Sequence, residues 1–137
     1  MRAVICSKFG PPENLILAEL ADLKPQAGQV RVAIEACGVN FPDTLIIENK
    51  YQFKPELPFS PGGEVTGKID MIGEGVTEFK IGDPVMAMTI SGGFAEQVII
   101  ESTALIRRPI NMDGISAAGF TMTYGTSMHA LKQRADL

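Results

Sequence analysis

Two polar residues, Asn40 and Asp43, follow the clearest predicted strand of the chain at a spacing suited to a small hydrogen-bonding site. A side-chain amide can donate and accept hydrogen bonds, whereas an ionised carboxylate only accepts them. Asn40 can therefore donate to a ligand, or it can cap the helix that begins beside it. We expect Asp43 to orient its neighbours rather than to act as an acid or base. His129 is the only histidine, which excludes a histidine cluster for a metal and a charge-relay triad.

A second carboxylate, Glu64, ends the turn Pro61-Gly62-Gly63-Glu64. We predict a structural role for it, with the carboxylate accepting from backbone N–H groups or pairing with an arginine across a cleft. The glycines that surround it do not match the GxGxxG pattern, and β-type sequence follows them instead of a helix. This turn is therefore not a phosphate-binding loop.

Hydroxyl groups recur in the segment Thr123-Tyr124-Gly125-Thr126, which lies on a predicted helix of small residues. A threonine hydroxyl can both donate to and accept from a ligand. It can also bond back to the carbonyl one turn earlier, which gives it a purely local role. Both alternatives stay open at this point.

The elements that must position these residues are mostly short strands separated by glycine and proline. A helix is predicted from Asn40 to Glu48, and one or two packed helices from Gly114 to Leu131. The sequence therefore predicts a mainly β fold with helices after residue 40 and in the C-terminal segment. The predicted strands are Arg2–Ser7, Leu15–Glu19, Gln29–Ala36, Gly62–Ile72, Pro84–Met88 and Phe94–Glu101.

The composition excludes several classes of function. The net charge is −4 and the basic residues are scattered, which argues against a nucleic-acid partner. The longest apolar runs are too short to span a bilayer, and the N-terminus lacks the apolar stretch of a secretory signal. Two cysteines, Cys6 and Cys37, have no CxxC spacing, so we expect small buried side chains and a reducing cytoplasm.

The chain resembles the medium-chain dehydrogenase/reductase superfamily, and within it the zinc-independent quinone oxidoreductase branch that includes zeta-crystallin. The resemblance covers nearly the whole chain because its motifs occur in the order of that family. Each motif is common by itself, and their order makes the match specific. The motifs span residues 1–4, 38–43, 61–67, 73–76, 82–85, 92–96 and 124–126.

The resemblance implies that residues 1–137 form the GroES-like catalytic domain, a partly open β-barrel. On this resemblance we expect the Rossmann domain that holds most of the NADPH in relatives to be absent from this chain. Full-length relatives are commonly dimers through that domain, so we expect the isolated chain to be a monomer and to be inactive. The zinc-dependent relatives carry cysteine and histidine where this chain has Asn40 and Gly63. An amide and a glycine cannot replace those ligands, so we expect no zinc.

The resemblance also assigns site residues. Asn40, Tyr51 and Thr126 match positions that face the cofactor in relatives, and Asn40, Asp43 and Thr126 are the expected catalytic group. The expected substrate pocket is formed by Phe41, Phe94, Thr123 and Tyr124.

The implied function is hydride transfer from NADPH to a quinone or an α,β-unsaturated carbonyl, a small-molecule substrate. The alternative is a GroES-like binding module that stands alone and has no catalytic activity. The region from Asn40 to Pro61 favours the enzyme, because it carries polar residues where a co-chaperonin has a long apolar loop.

Overall fold

The computed structural model describes every residue from 1 to 137 and is mainly β with few helices, as the sequence predicts. None of its helices is long and apolar enough to cross a bilayer. The strands are β1 (Arg2–Ile5), β2 (Ile16–Glu19), β3 (Gln29–Gly38), β4 (Glu64–Ile72), β5 (Pro84–Met88), β6 (Gln97–Glu101) and β7 (Ile106–Arg107). The helices are α1 (Phe41–Ile47), α2 (Gly114–Ala118) and α3 (Thr121–Met128), and a π-helical turn, His129–Arg134, follows α3.

The main sheet has five antiparallel strands in the order β6-β3-β4-β5-β7. Its buried face follows from alternation along each strand, because successive side chains of a strand point to opposite faces. On β3, for example, Val30 and Val32 are buried whereas Arg31 between them is half-buried. The core of the sheet consists of Val30, Val32, Val65, Ile69, Val85, Ala87, Val98 and Ile100.

A second apolar cluster attaches α1 to the N-terminal ribbon. β1 and β2 form a separate two-stranded sheet, and Cys6 after β1 pairs with Phe59 in an isolated bridge. Ile46 and Ile47 of α1 pack against these two residues, and Tyr51 lies at the edge of the cluster. The cluster therefore fixes the position of α1 and of the loop that carries Tyr51.

The structure differs from the sequence prediction at the element ends. β4 begins at Glu64 because Gly62, with φ +94°, turns the chain before the strand. β6 begins only at Gln97, since the N–H of Phe94 donates to the carbonyl of Pro61 rather than to a sheet neighbour. The prediction of packed C-terminal helices holds for α2, in which Ala117 and Ala118 are buried. It is wrong for α3, which has no buried residue.

The central pair of strands, β3 and β4, comes unusually close at Gly67. A Cβ atom on Gly67 would lie 2.0 Å from the carbonyl oxygen of Ala33 and 2.8 Å from Cγ1 of Val32. Real Cβ atoms do not approach backbone oxygen this closely, and close-packed interiors leave no room for relief. Only glycine therefore allows β4 to pair with β3 in this register.

We expect Gly67→Ala to lower the free energy of unfolding by about 2–3 kcal/mol, because the added methyl group must push β3 and β4 apart. Urea denaturation of the 137-residue chain measures this change. The matched control is Gly119→Ala, where nothing lies within 4 Å of the added atom, and its effect stays within about 0.5 kcal/mol. A Gly67→Ala protein as stable as this control would contradict the close approach.

Candidate active site

One cavity combines several of the sequence-predicted residues. It has a volume of about 170 Å³ and is bounded by the start of α1, the loop after α1, the start of β4, the residues after β5 and the start of α3. Five of its ten lining residues are hydrophobic, and its wall is mainly apolar. The lining residues are Asn40, Pro42, Asp43, Ile46, Tyr51, Phe53, Gly63, Thr89, Ile90 and Met122.

The polar end of the cavity is built by the first turn of α1. Asn40 is the N-cap, as the sequence predicts, and Asn40 and Asp43 form a capping box. In this motif the backbone N–H of Asn40 donates to Oδ2 of Asp43 over 2.8 Å. Pro42 is tolerated because the first turn of a helix needs no N–H from it. The first turn of α1 thus places both Asn40 and Asp43 at the wall of this cavity.

Asp43 is a buried carboxylate with only 5% of its surface exposed. Burial raises the pKa of the Asp43 carboxyl above its usual value, while hydrogen bonds from the backbone N–H groups of Asn40, Gly62 and Gly63 oppose this effect. Nearby Glu64 adds to the increase. Asp43 therefore joins α1 to the turn before β4, and its role in orienting its neighbours stays a prediction.

Glu64 lies behind Asn40 and is 1% exposed. Its Oε2 accepts from the Asn40 side-chain Nδ2–H over 2.9 Å, and its Oε1 accepts from the Met122 backbone N–H over 2.8 Å. The predicted structural role is confirmed with respect to the backbone N–H group. The second partner, however, is Asn40 and not an arginine.

The aromatic side of the cavity comes from the loop after α1. Tyr51 is half-buried, and its ring centroid lies 6.1 Å from that of Phe53. The structure thus brings Tyr51 into the same cavity as Asn40, although eleven positions separate them in the sequence. Their assignment to the cofactor stays a prediction.

The C-terminal candidates lie elsewhere. Thr126 is exposed on α3 and does not line the Asn40 cavity. The Thr123 hydroxyl donates to the carbonyl of Gly119 over 2.7 Å, which is the local role that the sequence left open. Tyr124 is 63% exposed and stacks on Phe120 with 4.8 Å between the ring centroids.

Two of the predicted pocket phenylalanines are also outside this cavity. Phe41 is 74% exposed at the start of α1. Phe94 lines a separate shallow groove of about 440 Å³, next to Cys37 and Glu96. Neither side chain lines the Asn40 cavity within this chain, so their assignment to a substrate pocket stays a prediction.

Phe53 and Thr89 are among the cavity residues that the sequence analysis did not single out. Thr89 directly follows β5, and its backbone N–H donates to the carbonyl of Gly63 over 2.7 Å. Phe53 stands two positions after Tyr51, and the two ring centroids lie 6.1 Å apart. Thr89 comes directly after the predicted strand Pro84–Met88, and this position could have marked it as a candidate site residue.

The donor set does not fit a zinc ion. No group of three or more His, Cys, Asp or Glu side chains is placed to hold a metal. Burial raises the pKa of the Cys37 thiol to about 12, so it is not a thiolate at neutral pH. A Cβ on Gly63 would lie 3.0 Å from the carbonyl oxygen of Thr89, so a histidine there would require that segment to move.

Comparison with known proteins finds a family model that matches more than half of this chain. The profile described as "Alcohol dehydrogenase GroES-like domain" matches residues 26–124. A quinone oxidoreductase-like protein 2 homolog from Nematostella vectensis is 39% identical over 137 residues, which are 99% of this chain and 37% of that protein.

Solved structures agree with this match. The human synaptic vesicle membrane protein VAT-1 homolog-like protein superposes with a TM-score of 0.95 at 33% identity, over 100% of this chain and 44% of the other. The quinone oxidoreductase from Thermus thermophilus, solved also in complex with NADPH, superposes with a TM-score of 0.82 at 32% identity. The match covers 98% of this chain and 41% of the other. The chain spans about two fifths of the length of these relatives.

We expect the Cys37 thiol to be almost unreactive in the folded chain. With its pKa raised from 9.0 to about 12, the thiolate fraction at pH 8 falls roughly a thousandfold, and only the thiolate reacts with iodoacetamide. The measurement compares alkylation rates of Cys37 in native and guanidinium-unfolded protein, in a Cys6→Ser background that removes the other thiol. Rates within tenfold of each other would show that the thiol is not buried as described.

Proposed function

Because this chain belongs to the alcohol dehydrogenase GroES-like domain family of the medium-chain dehydrogenases/reductases, we propose that it forms the catalytic domain of a zinc-independent NADPH:quinone oxidoreductase. The enzyme transfers a hydride from NADPH to a quinone or an α,β-unsaturated carbonyl. The isolated chain spans only part of the length of its relatives, so we expect it to be inactive by itself.

The observation that carries this proposal is the cavity in which Asn40 and Tyr51 meet. Its volume of about 170 Å³ is slightly above that of the ~150 Å³ engineered cavity that binds benzene, so it holds one aromatic ring. Ile46, Phe53 and Met122 supply apolar walls for such a ring. Asn40 and Tyr51 supply polar groups for the substituents of the ring. A nicotinamide or a quinone ring meets both requirements.

The residues of this chain then have separate roles in binding and positioning. NADPH, when bound, supplies the hydride. Asn40 and Tyr51 hold the reacting ring in place through hydrogen bonds and contact, which converts an encounter into a positioned reaction. The second N–H of the Asn40 side chain, beyond the one that Glu64 accepts, faces the oxygen on which negative charge develops. Asp43 acts as a positioning residue through its bonds to the Asn40, Gly62 and Gly63 backbone N–H groups.

A zinc ion has no place in this proposal. Zinc requires thiolate, imidazole or carboxylate ligands in a tetrahedral set, and the cavity wall offers an amide, a glycine and a carboxylate already bonded to the backbone. Hydrogen-bond donors of the protein and water therefore take over the stabilisation of the substrate oxygen.

The exposed candidates complete the proposal. We assign Thr126 to the cofactor side, and Phe41, Phe94, Thr123 and Tyr124 to the substrate side, on the basis of the family motif alone. In this chain all of these side chains except the half-buried Phe94 are exposed, so their roles depend on a further surface that covers them.

The second candidate function is a binding module without catalysis. The observation that favours it is the exposed apolar side of α3 and the turn after it, where Phe120, Tyr124, Met128 and Leu131 line a groove of about 510 Å³. Such patches on soluble proteins mark interaction sites. NADPH-dependent quinone reduction by the native gene product decides between the two functions.

We expect Asn40→Ala and Tyr51→Phe each to raise the KM for NADPH about three- to tenfold in that enzyme, because each removes a hydrogen bond worth roughly 0.5–1.5 kcal/mol. NADPH oxidation with a soluble quinone measures the effect. Asn111→Ala is the control, since Asn111 is exposed and outside the cavity. Unchanged kinetics in both variants would remove this cavity from the proposed reaction.

We expect activity to survive treatment with a strong chelator followed by desalting, because no step of the proposed reaction uses a metal. The same assay before and after treatment gives the answer, and a zinc-dependent alcohol dehydrogenase treated in parallel is the control for metal removal. Loss of activity that added zinc restores would contradict the zinc-independent mechanism.

A further inference from the structure

Glu64 is a buried carboxylate without a cationic partner. Only 1% of its surface is exposed, and it takes part in no ion pair. A buried charge is expensive unless hydrogen-bond donors surround it. The donors to its side chain come from two different elements, the side-chain amide of Asn40 and the backbone N–H of Met122. Each carboxylate oxygen therefore accepts one hydrogen bond, and the two donors belong to different elements.

The first oxygen fixes the amide of Asn40. An ionised carboxylate has no proton to donate, so only the nitrogen end of the amide can face it. The bond from Nδ2 to Oε2 of Glu64 over 2.9 Å thus turns the carbonyl end of Asn40 away from β4. Without this partner the amide could rotate or flip.

The second oxygen holds the start of α3. The first N–H groups of a helix have no partner within the helix, and Phe120 at the N-cap gives no side-chain hydrogen bond. α3 also has no buried residue to attach it to the sheet. Glu64 accepts from Met122 in the first turn, and its negative charge also suits the positive end of the helix. It thereby serves as a cap supplied from β4.

We propose that Glu64 is the positioning residue of the site, a single buried carboxylate that sets the Asn40 amide and the N-terminus of α3 relative to each other. The proposed function assigns Asn40, at the start of α1, and Thr126, on α3, to the cofactor. Glu64 links these two helices through its bonds to Asn40 and Met122. The relevance to cofactor binding rests on the proposed function. The link itself is a property of the folded chain.

The chemistry of the pair suggests a charge-swap test. In Glu64→Gln the new amide has one oxygen and one NH₂ group, so it can accept from Asn40 or from Met122 but not from both. In Asn40→Asp two carboxylates face each other in a buried place. In the double variant Asn40→Asp/Glu64→Gln, the introduced glutamine would accept from Met122 and donate to the introduced carboxylate. Aspartate also caps a helix as well as asparagine does.

We expect each single variant to lower Tm by about 5–10 °C and the double variant to recover most of that loss. Hydrogen exchange followed by NMR on the 137-residue chain supplies the readout specific to positioning. In the native protein we expect the Asn40 side-chain amide to exchange about tenfold more slowly than that of exposed Asn111. In Glu64→Gln that protection, or the protection of the Met122 N–H, disappears.

Matched controls are available at exposed positions. Glu101→Gln changes an exposed carboxylate that accepts from Gln29, and Asn111→Asp changes an exposed amide. Both are expected to leave Tm within about 2 °C and the Asn40 protection unchanged.

The proposal is overturned if Glu64→Gln keeps both protections whatever its Tm, or if the double variant is no more stable than the single variants. Should a single variant fail to fold, the double variant decides, because its folding with a protected Met122 N–H supports the link and its failure overturns it. No cofactor or substrate enters these measurements. The link therefore stands or falls independently of NADPH oxidation by the enzyme.

Discussion

Two buried carboxylates on either side of a glycine turn, Asp43 and Glu64, impose the main constraint on this structure. Neither has a basic partner within ion-pair distance, so backbone and amide N–H groups must surround them. A buried carboxylate that lost its donors would be strongly destabilising. The start of α1, the turn before β4 and the start of α3 therefore stay together, and the cavity lies between them.

The sheet supplies the rigidity that this arrangement needs. β3 pairs with β6 and with the central strand β4, and it ends at Gly38, two residues before Asn40. β4 starts at Glu64, so the two carboxylate-bearing segments enter the site from neighbouring strands. Gly67, farther along β4, lets the two strands approach closely, and the hydrogen bond between the Asn40 and Glu64 side chains joins the ends of the same strand pair.

The cavity around Asn40 and the surface of α3 differ in how much of them this chain covers. Around Asn40 and Tyr51 the chain forms a cavity of its own, lined by polar and apolar residues. Along α3, by contrast, Phe120, Tyr124 and Met128 stay exposed. This contrast agrees with relatives in which the matched region is only about two fifths of the protein. In the proposed function the Asn40 cavity is a binding site within this chain, whereas the exposed side of α3 needs a further surface to cover it.

The sequence by itself determined the fold class, the strand β3, the cap at Asn40 and the family, because alternation, capping and ordered turn motifs are local signals. It also indicated that Glu64 is structural. Only the tertiary structure decided that Glu64 bonds Asn40 and Met122, that Tyr51 joins the same cavity, and that Thr126 and Phe94 do not. Such contacts join residues far apart in the chain. Their existence depends on strand order and close packing, which no local pattern encodes.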